Sequence, residues 1–461
     1  MTANRRARYA PNDRELRLWK VGRALTLAFV AAILVAGGVF YALVVLLDFK
    51  EIDSSAKLDA KTLFDLVKLS FGVVAGAGAL VALVVAYRRQ RVDEAGAHRE
   101  ATRLHTERFS QAVDKLGSDS PAVRLGGVHA LAGLADDAPD DSLRQTCIDV
   151  LCAYLQLPFT PDPGDDPIDQ EEHHRYLAFR KVRHTILRLI GDHYRRPQGT
   201  HRSWQGCDLD LTGVTIDSDV DFRRASFSGG RVSFDDATFS GGTVSFNDAT
   251  FSGGEVLFRR ATFSGGAVSF NDATFSGGWM SFNDATFSGG EVSFDNATFS
   301  GGYVLFSRAT FSGGQVLFGS EVSFDDATFF RGATFSGGEV YFGGATFSGG
   351  EVLFGGATFS GGQVSFPAAT FSAGSVSFPA ASFSGGEVSF GHASFSGGEV
   401  SFGHASFSGS RVSFNDATFS SGQVLFDSAR FFSGWVSFID ATFSGGEVSF
   451  TGAGGSIPSL Q

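Results

Sequence analysis

The sequence predicts a mainly β protein: a β-solenoid preceded by a two-helix transmembrane hairpin and a small helical region. Three observations predict it. Phenylalanine recurs every twelve residues from Phe222 to Phe450, and all twenty positions of that series are filled. A second series, from Phe227 to Phe443, has nineteen positions and is broken only at Ser323. Two uncharged runs, 24–47 and 69–87, come before a stretch of helical periodicity.

The hairpin is read from length and charge. Residues 1–23 form a basic tail with Arg5, Arg6, Arg8, Arg14, Arg17, Lys20 and Arg23. The first run, Ala24 to Leu47, has 24 residues, about 36 Å of helix, and a hydrocarbon core is about 30 Å thick. The second, Leu69 to Tyr87, has 19 residues. Arg88, Arg89 and Arg91 follow it, and only four lysines lie between the runs. Basic flanks favour the cytoplasmic side, so the expected placement is multi-pass in the cell membrane with both termini cytoplasmic. Gly72 and Gly76 have the small-xxx-small spacing that lets helices approach closely. They serve either packing within the hairpin or association with a second copy.

Residues 88–157 turn to helical period. Phe109, Val113 and Leu116 share a face, and Gly117 breaks it. Ser118, Ser120 and Pro121 read as a helix start. Val123, Leu125, Val128, Leu131 and Leu134 follow, and Ile148, Leu151 and Leu155 give a third helix. The phrase AVRLGGVHALAGLA resembles a HEAT- or armadillo-type repeat, which implies a small helical bundle. Residues 158–172 are proline-rich and acidic, the composition of a linker. Residues 173–204 predict an amphipathic helix and cap.

From 205 to 450 each twelve-mer reads as strand, corner, strand, corner. In ATFSGGEVSFDN, Ala285, Phe287, Val292 and Phe294 alternate with Thr286, Ser288, Glu291 and Ser293, the period of a half-buried strand. Gly289-Gly290 and Asp295-Asn296 are turn residues. A single twelve-mer cannot close a core, so stacked copies must. The predicted core ladder includes Phe222, Phe227, Phe234, Phe239, Phe246, Phe251, Phe258, Phe263, Phe287 and Phe294. The repeat falters at Glu321, Ser323 and Thr328, in the Ala, Phe and Val positions; this is either a bulge or a recognition site. The tail, 451–461, holds no amphipathic helix to cover a last coil, so pairing there with a second copy or a partner is expected.

These residues resemble the pentapeptide-repeat family, whose unit is A-(D/N)-L-x-x with Phe often in place of Leu. Ala285 to Gly289 fits one unit and Val292 to Asn296 another, with Gly290-Glu291 as two extra residues. The resemblance implies a right-handed quadrilateral β-helix with Phe at the inward centre. The 5+2+5 rhythm leaves two geometries open. A four-sided coil takes 24 residues and gives a rod of about 45 Å; a two-sided coil takes 12 and gives about 90 Å. The whole layout resembles a membrane-anchored bacterial pentapeptide-repeat protein.

The chain has 37 basic and 49 acidic residues in 461, which disfavours a nucleic-acid binder. Its three cysteines, Cys147, Cys152 and Cys207, build no disulfide framework or zinc spacing. His184 and His193 are nine apart and lack the i, i+4 spacing of a helical metal pair. No nucleophile–base set or phosphate loop is found, so the sequence predicts neither enzyme, cofactor nor metal site. The expected function is a membrane-tethered scaffold that binds a protein partner, with self-association through the C-terminal coil or the membrane helices. The alternative, carried by the resemblance, is a DNA mimic that inhibits a type II topoisomerase.

Overall fold

A computed structural model describes residues 60–158, 170–318, 323–324, 328–347 and 351–456, with 30, 33–34, 37–38 and 41. The chain divides into two compact units, 1–103 and 104–461, and each is treated by itself.

The first unit corrects the hairpin. Among the described residues no helix is long and apolar enough to cross a membrane. That overturns the two transmembrane spans and, with them, the multi-pass placement with cytoplasmic termini. Most of the first run lies outside the described residues. The second is no separate element: it is an internal stretch of helix α1, Ala60–Leu116, which continues unbroken through Arg88, Arg89, Arg91, Asp93 and Glu94. Gly72 and Gly76 are exposed on α1, with no described atom within 4 Å of an added Cβ.

In the second unit the end of α1 packs with α2 (Pro121–Asp136), α3 (Asp141–Gln156) and α4 (Gln170–Tyr194). Pro121 stands in the first turn of α2, where its missing N–H is no loss. Asp140 caps α3, its Oδ1 accepting from the Leu143 N–H at 2.9 Å. Val128, Leu131, Ile148, Leu151 and Leu155 are buried, whereas Val123, in the first turn of α2, is 42% exposed. The expected linker lies mostly outside the described residues.

The helices close the first end of a β-solenoid. The Tyr194 ring lies 5.1 Å from Phe227, and its hydroxyl donates to the Cys207 carbonyl at 2.8 Å. Gly191 makes the docking possible: a Cβ there would sit 2.5 Å from the Asp221 carbonyl oxygen. Arg183, 8% exposed, donates to the Leu155 and Thr215 carbonyls. It joins the last turn of α3 to the first coil.

The strands settle the coil length. Thr262-Phe263 pairs with Thr286-Phe287, and Ala267–Ser269 with Glu291–Ser293. Thr274–Ser276 pairs with Thr298–Ser300, and Gly278–Ser281 with Gly302–Leu305. Each of these partners is 24 residues on and parallel. Two successive twelve-mers therefore make one four-sided coil, and two 19-stranded sheets share the four sides. The two-sided coil of 12 is excluded.

Inside, the phenylalanines form four columns. Along a column successive rings lie 4.6 to 5.0 Å apart and nearly parallel, as in Phe342–Phe366, Phe347–Phe371 and Phe227–Phe251. Across the core, neighbouring columns meet edge to face: Phe282 and Phe294 are 6.1 Å apart at 89°. Offset stacks and T-shaped pairs are the two arrangements that the ring quadrupole favours. The ten core phenylalanines named from the sequence are each at most 6% exposed, and the Ala and Val positions between them are buried too.

The irregular stretch keeps the coil length. Ser323-Phe324 pairs with Thr298-Phe299 before it, 25 residues back, and with Thr346-Phe347 after it, 23 residues on. One residue is inserted before Ser323 and one removed after Phe324, so Phe330 stacks 4.7 Å from Phe306 in normal phase. The phenylalanine register is held by Phe324, and Ser323 takes the outward Thr register. Thr328 pairs with Val304 and Val352. Glu321 lies outside the described residues.

Candidate functional site

With the inward positions filled by hydrocarbon, the chemistry of the β-helix lies on its outside. The corners decide what is presented there. Each Phe-x-x-Ala corner is a β-turn; the Ala297 N–H donates to the Phe294 carbonyl at 3.1 Å, for example. The third residue of the turn has positive φ: 57° at Asn296, 61° at Asp284 and 56° at Ala380. This is the pattern of a type II turn, which favours Gly or Asn at that place and tolerates Pro before it.

The second corner residue forms a ladder of amide caps. The Asp295 N–H donates to Asn271 Oδ1 at 3.2 Å, and the Asn271 N–H to Asn247 Oδ1 at 3.3 Å. Ser307 uses Asn283, and Thr451 uses Asp427, in the same way. Gly343 and Gly355 have no side chain to offer, and one coil beyond them stand Pro367 and Pro379, which have no N–H to satisfy. At these two steps the side-chain acceptor and the N–H donor are absent together.

The third corner residue forms a charged column. Asp236, Arg260, Asp284 and Arg308 succeed one another at 24-residue steps, with Arg260–Asp236 and Arg308–Asp284 pairs of 2.6 Å. These arginines hold the Asp236 and Asp284 carboxyls below their ordinary range. The alternation makes the column nearly neutral.

The histidines fall apart as a group. His392 and His404, one sequence period apart, occupy opposite corners because the coil holds two periods; His392 faces Asp416 at 3.9 Å. His193 is stacked 4.1 Å from Trp204 in the helical unit, with Nε2 3.1 Å from Asp136. His184 lines a cavity of about 400 Å³ between α4 and the first coil, and burial, then Lys181 and Arg188, lowers its pKa. Among the described residues no group of three or more His, Cys, Asp or Glu is placed to hold a metal ion. The three cysteines are free. Burial pushes Cys147 up to about 11 and Cys152 to about 12, so neither is a nucleophile at neutral pH.

One group of residues was not singled out from the sequence. Gln363, Glu387, Arg411 and Trp435 form an outward column at one-coil steps. A reading by twelves separates them with residues of the opposite sheet; only the 24-residue register brings them together.

The comparisons agree with the repeat. The family profile described as pentapeptide repeats (9 copies) matches residues 204–250. The chain thus carries pentapeptide repeats, continued by the Phe-rich coils of the solenoid. No curated protein matches the chain, and no solved structure matches it.

Proposed function

We propose that the β-helix is a non-enzymatic interaction scaffold that presents straight ladders of Ser, Thr, amide and acidic groups to a protein partner. The observation that carries this reading is the register: each outward side chain stands above its equivalent in the next coil, on a core of stacked rings. Such a surface is preorganised, so binding orders few side chains. The pentapeptide-repeat β-helix is a fold often used for protein interaction. In-cell crosslinking of the intact chain, followed by identification of its partners, tests the proposal. Recovery of one protein, lost on reversing charges in the outward Glu291–Gln315–Glu339 column, supports it; recovery of the chain alone overturns it.

The competing reading is mimicry of duplex DNA toward a type II topoisomerase. It needs dense, unpaired negative charge, and the Asp236–Arg260–Asp284–Arg308 column favours the scaffold instead. Inhibition of gyrase supercoiling by the purified chain would reverse that preference. The last described coil exposes Phe443 (45%) and Ile439 (50%). For this face we propose contact with a second copy, checked by concentration-dependent light scattering of the intact chain and of Phe443→Ser.

A further inference from the structure

Most corners between two sides read Ser-Gly-Gly and separate two short strands. Four strands run through such a corner instead: Thr274–Ser281, Thr298–Leu305, Ser406–Ser413 and Arg430–Ser437. Of these, the last two pair with register shifts on either side of Ser408. At the register shift the sequence departs from Ser-Gly-Gly. Ser410 replaces the second glycine, the position with φ near 76° in Gly290 and 77° in Gly386. A side chain disfavours that conformation, and the positive φ moves to Gly409, at 133°. A groove of about 420 Å³ lies beside this corner.

The groove is lined by the outward column of Gln363, Glu387, Arg411 and Trp435, and by Ser410. Ser410 is 2% exposed, and among the described residues its Oγ has no hydrogen-bond partner. A buried hydroxyl without a partner is unfavourable in a protein interior. The Arg411 guanidinium lies over the Trp435 ring, 4.5 Å from its centroid, and Trp435 stays 41% exposed. Among the described residues neither Glu387 nor Arg411 has an ion-pair partner.

The geometry points to a binding site for a neutral saccharide in this groove, an assignment independent of the protein-scaffold reading. The groups are of the kinds that a sugar uses. A carboxylate accepts from hydroxyls, a guanidinium donates to them, and an amide and a hydroxyl do both. One acidic and one basic group leave the groove without net charge, which selects against ionic ligands. The indole offers an electron-rich surface to the C–H groups of a sugar ring. The column spaces these contacts along the solenoid axis, so an extended oligosaccharide lies parallel to it. The volume is within the range of small-ligand pockets, about 300–1,000 Å³.

The test uses the full chain and isothermal titration calorimetry, with maltopentaose and triacetylchitotriose as probes and an acidic peptide and zwitterionic vesicles as controls. The expected result is saturable heat of binding with at least one saccharide. Trp435→Ala should weaken binding about tenfold. Ser410→Gly restores the ordinary corner; it should leave thermal stability equal or higher and abolish binding, which separates the groove from mere unfolding. No saturable response to either saccharide overturns the assignment. So does undiminished binding by Ser410→Gly, or a saturable response to the peptide or vesicles alone.

Discussion

A left-handed backbone costs about 1–2 kcal/mol at an ordinary residue, and this chain asks for one at every Phe-x-x-Ala corner. Asn296 and Asp284 tolerate it through their short polar side chains; Gly356 accepts it freely. Ala380, at φ 56°, has neither device, and Pro379 before it fixes only its own φ. Ala380→Gly should therefore raise stability by about 0.5–1 kcal/mol, the left-handed penalty less glycine's added chain entropy, as read from denaturant midpoints. Phe294 is the opposite case. It is fully buried and stacked on Phe270 and Phe318 at 4.9 Å each. Phe294→Ala should cost about 3–5 kcal/mol, measured in the same titration, because rings held in register above and below cannot collapse into the gap.

Among elements, the helices depend on a few polar clamps. Arg195 donates to the Asp221 and Arg223 carbonyls and pairs with the Asp221 carboxylate at 3.0 Å. Arg223, then Arg195, holds the Asp221 carboxyl at about 2. A carboxyl depressed on folding stabilises the fold above its unfolded value of about 4 and loses that contribution as pH falls through its folded value. The melting-temperature gap between the native chain and Asp221→Asn should thus be full at neutral pH and close between about pH 4 and 2. These clamps were not legible in the sequence, because Arg195 and Asp221 meet only after α4 turns back on the first coil. The strands were legible, since Ala-x-Phe and Val-x-Phe alternation specifies both a face and a corner. Apolar length was a poor guide in the first hundred residues: a run of 19 residues looked like an element and is a stretch inside a helix of 57.

For the whole molecule the decisive quantity is the coil, and the sequence displays only half of it. The two twelve-mers of one coil look alike because both obey the same inward pattern, so periodicity alone left 12 and 24 open. Parallel pairing at 24-residue steps decides it, and the outward groove was hidden for the same reason. Removing a whole coil, residues 367–390, should preserve a cooperative melt and the near-ultraviolet dichroism of the rings. Removing Ala368 alone should abolish both, since a one-residue slip turns inward side chains outward. The slip at Ser323 survives because it is undone within the same coil.

That doubling constrains how such a chain can change its length through the gene. A recombination event that adds or drops one sequence repeat keeps every aromatic inside, yet it transplants all downstream surface chemistry to the opposite wall. Length variants that preserve a binding face should therefore differ by even numbers of repeats, whereas odd steps create a new face on an unchanged interior.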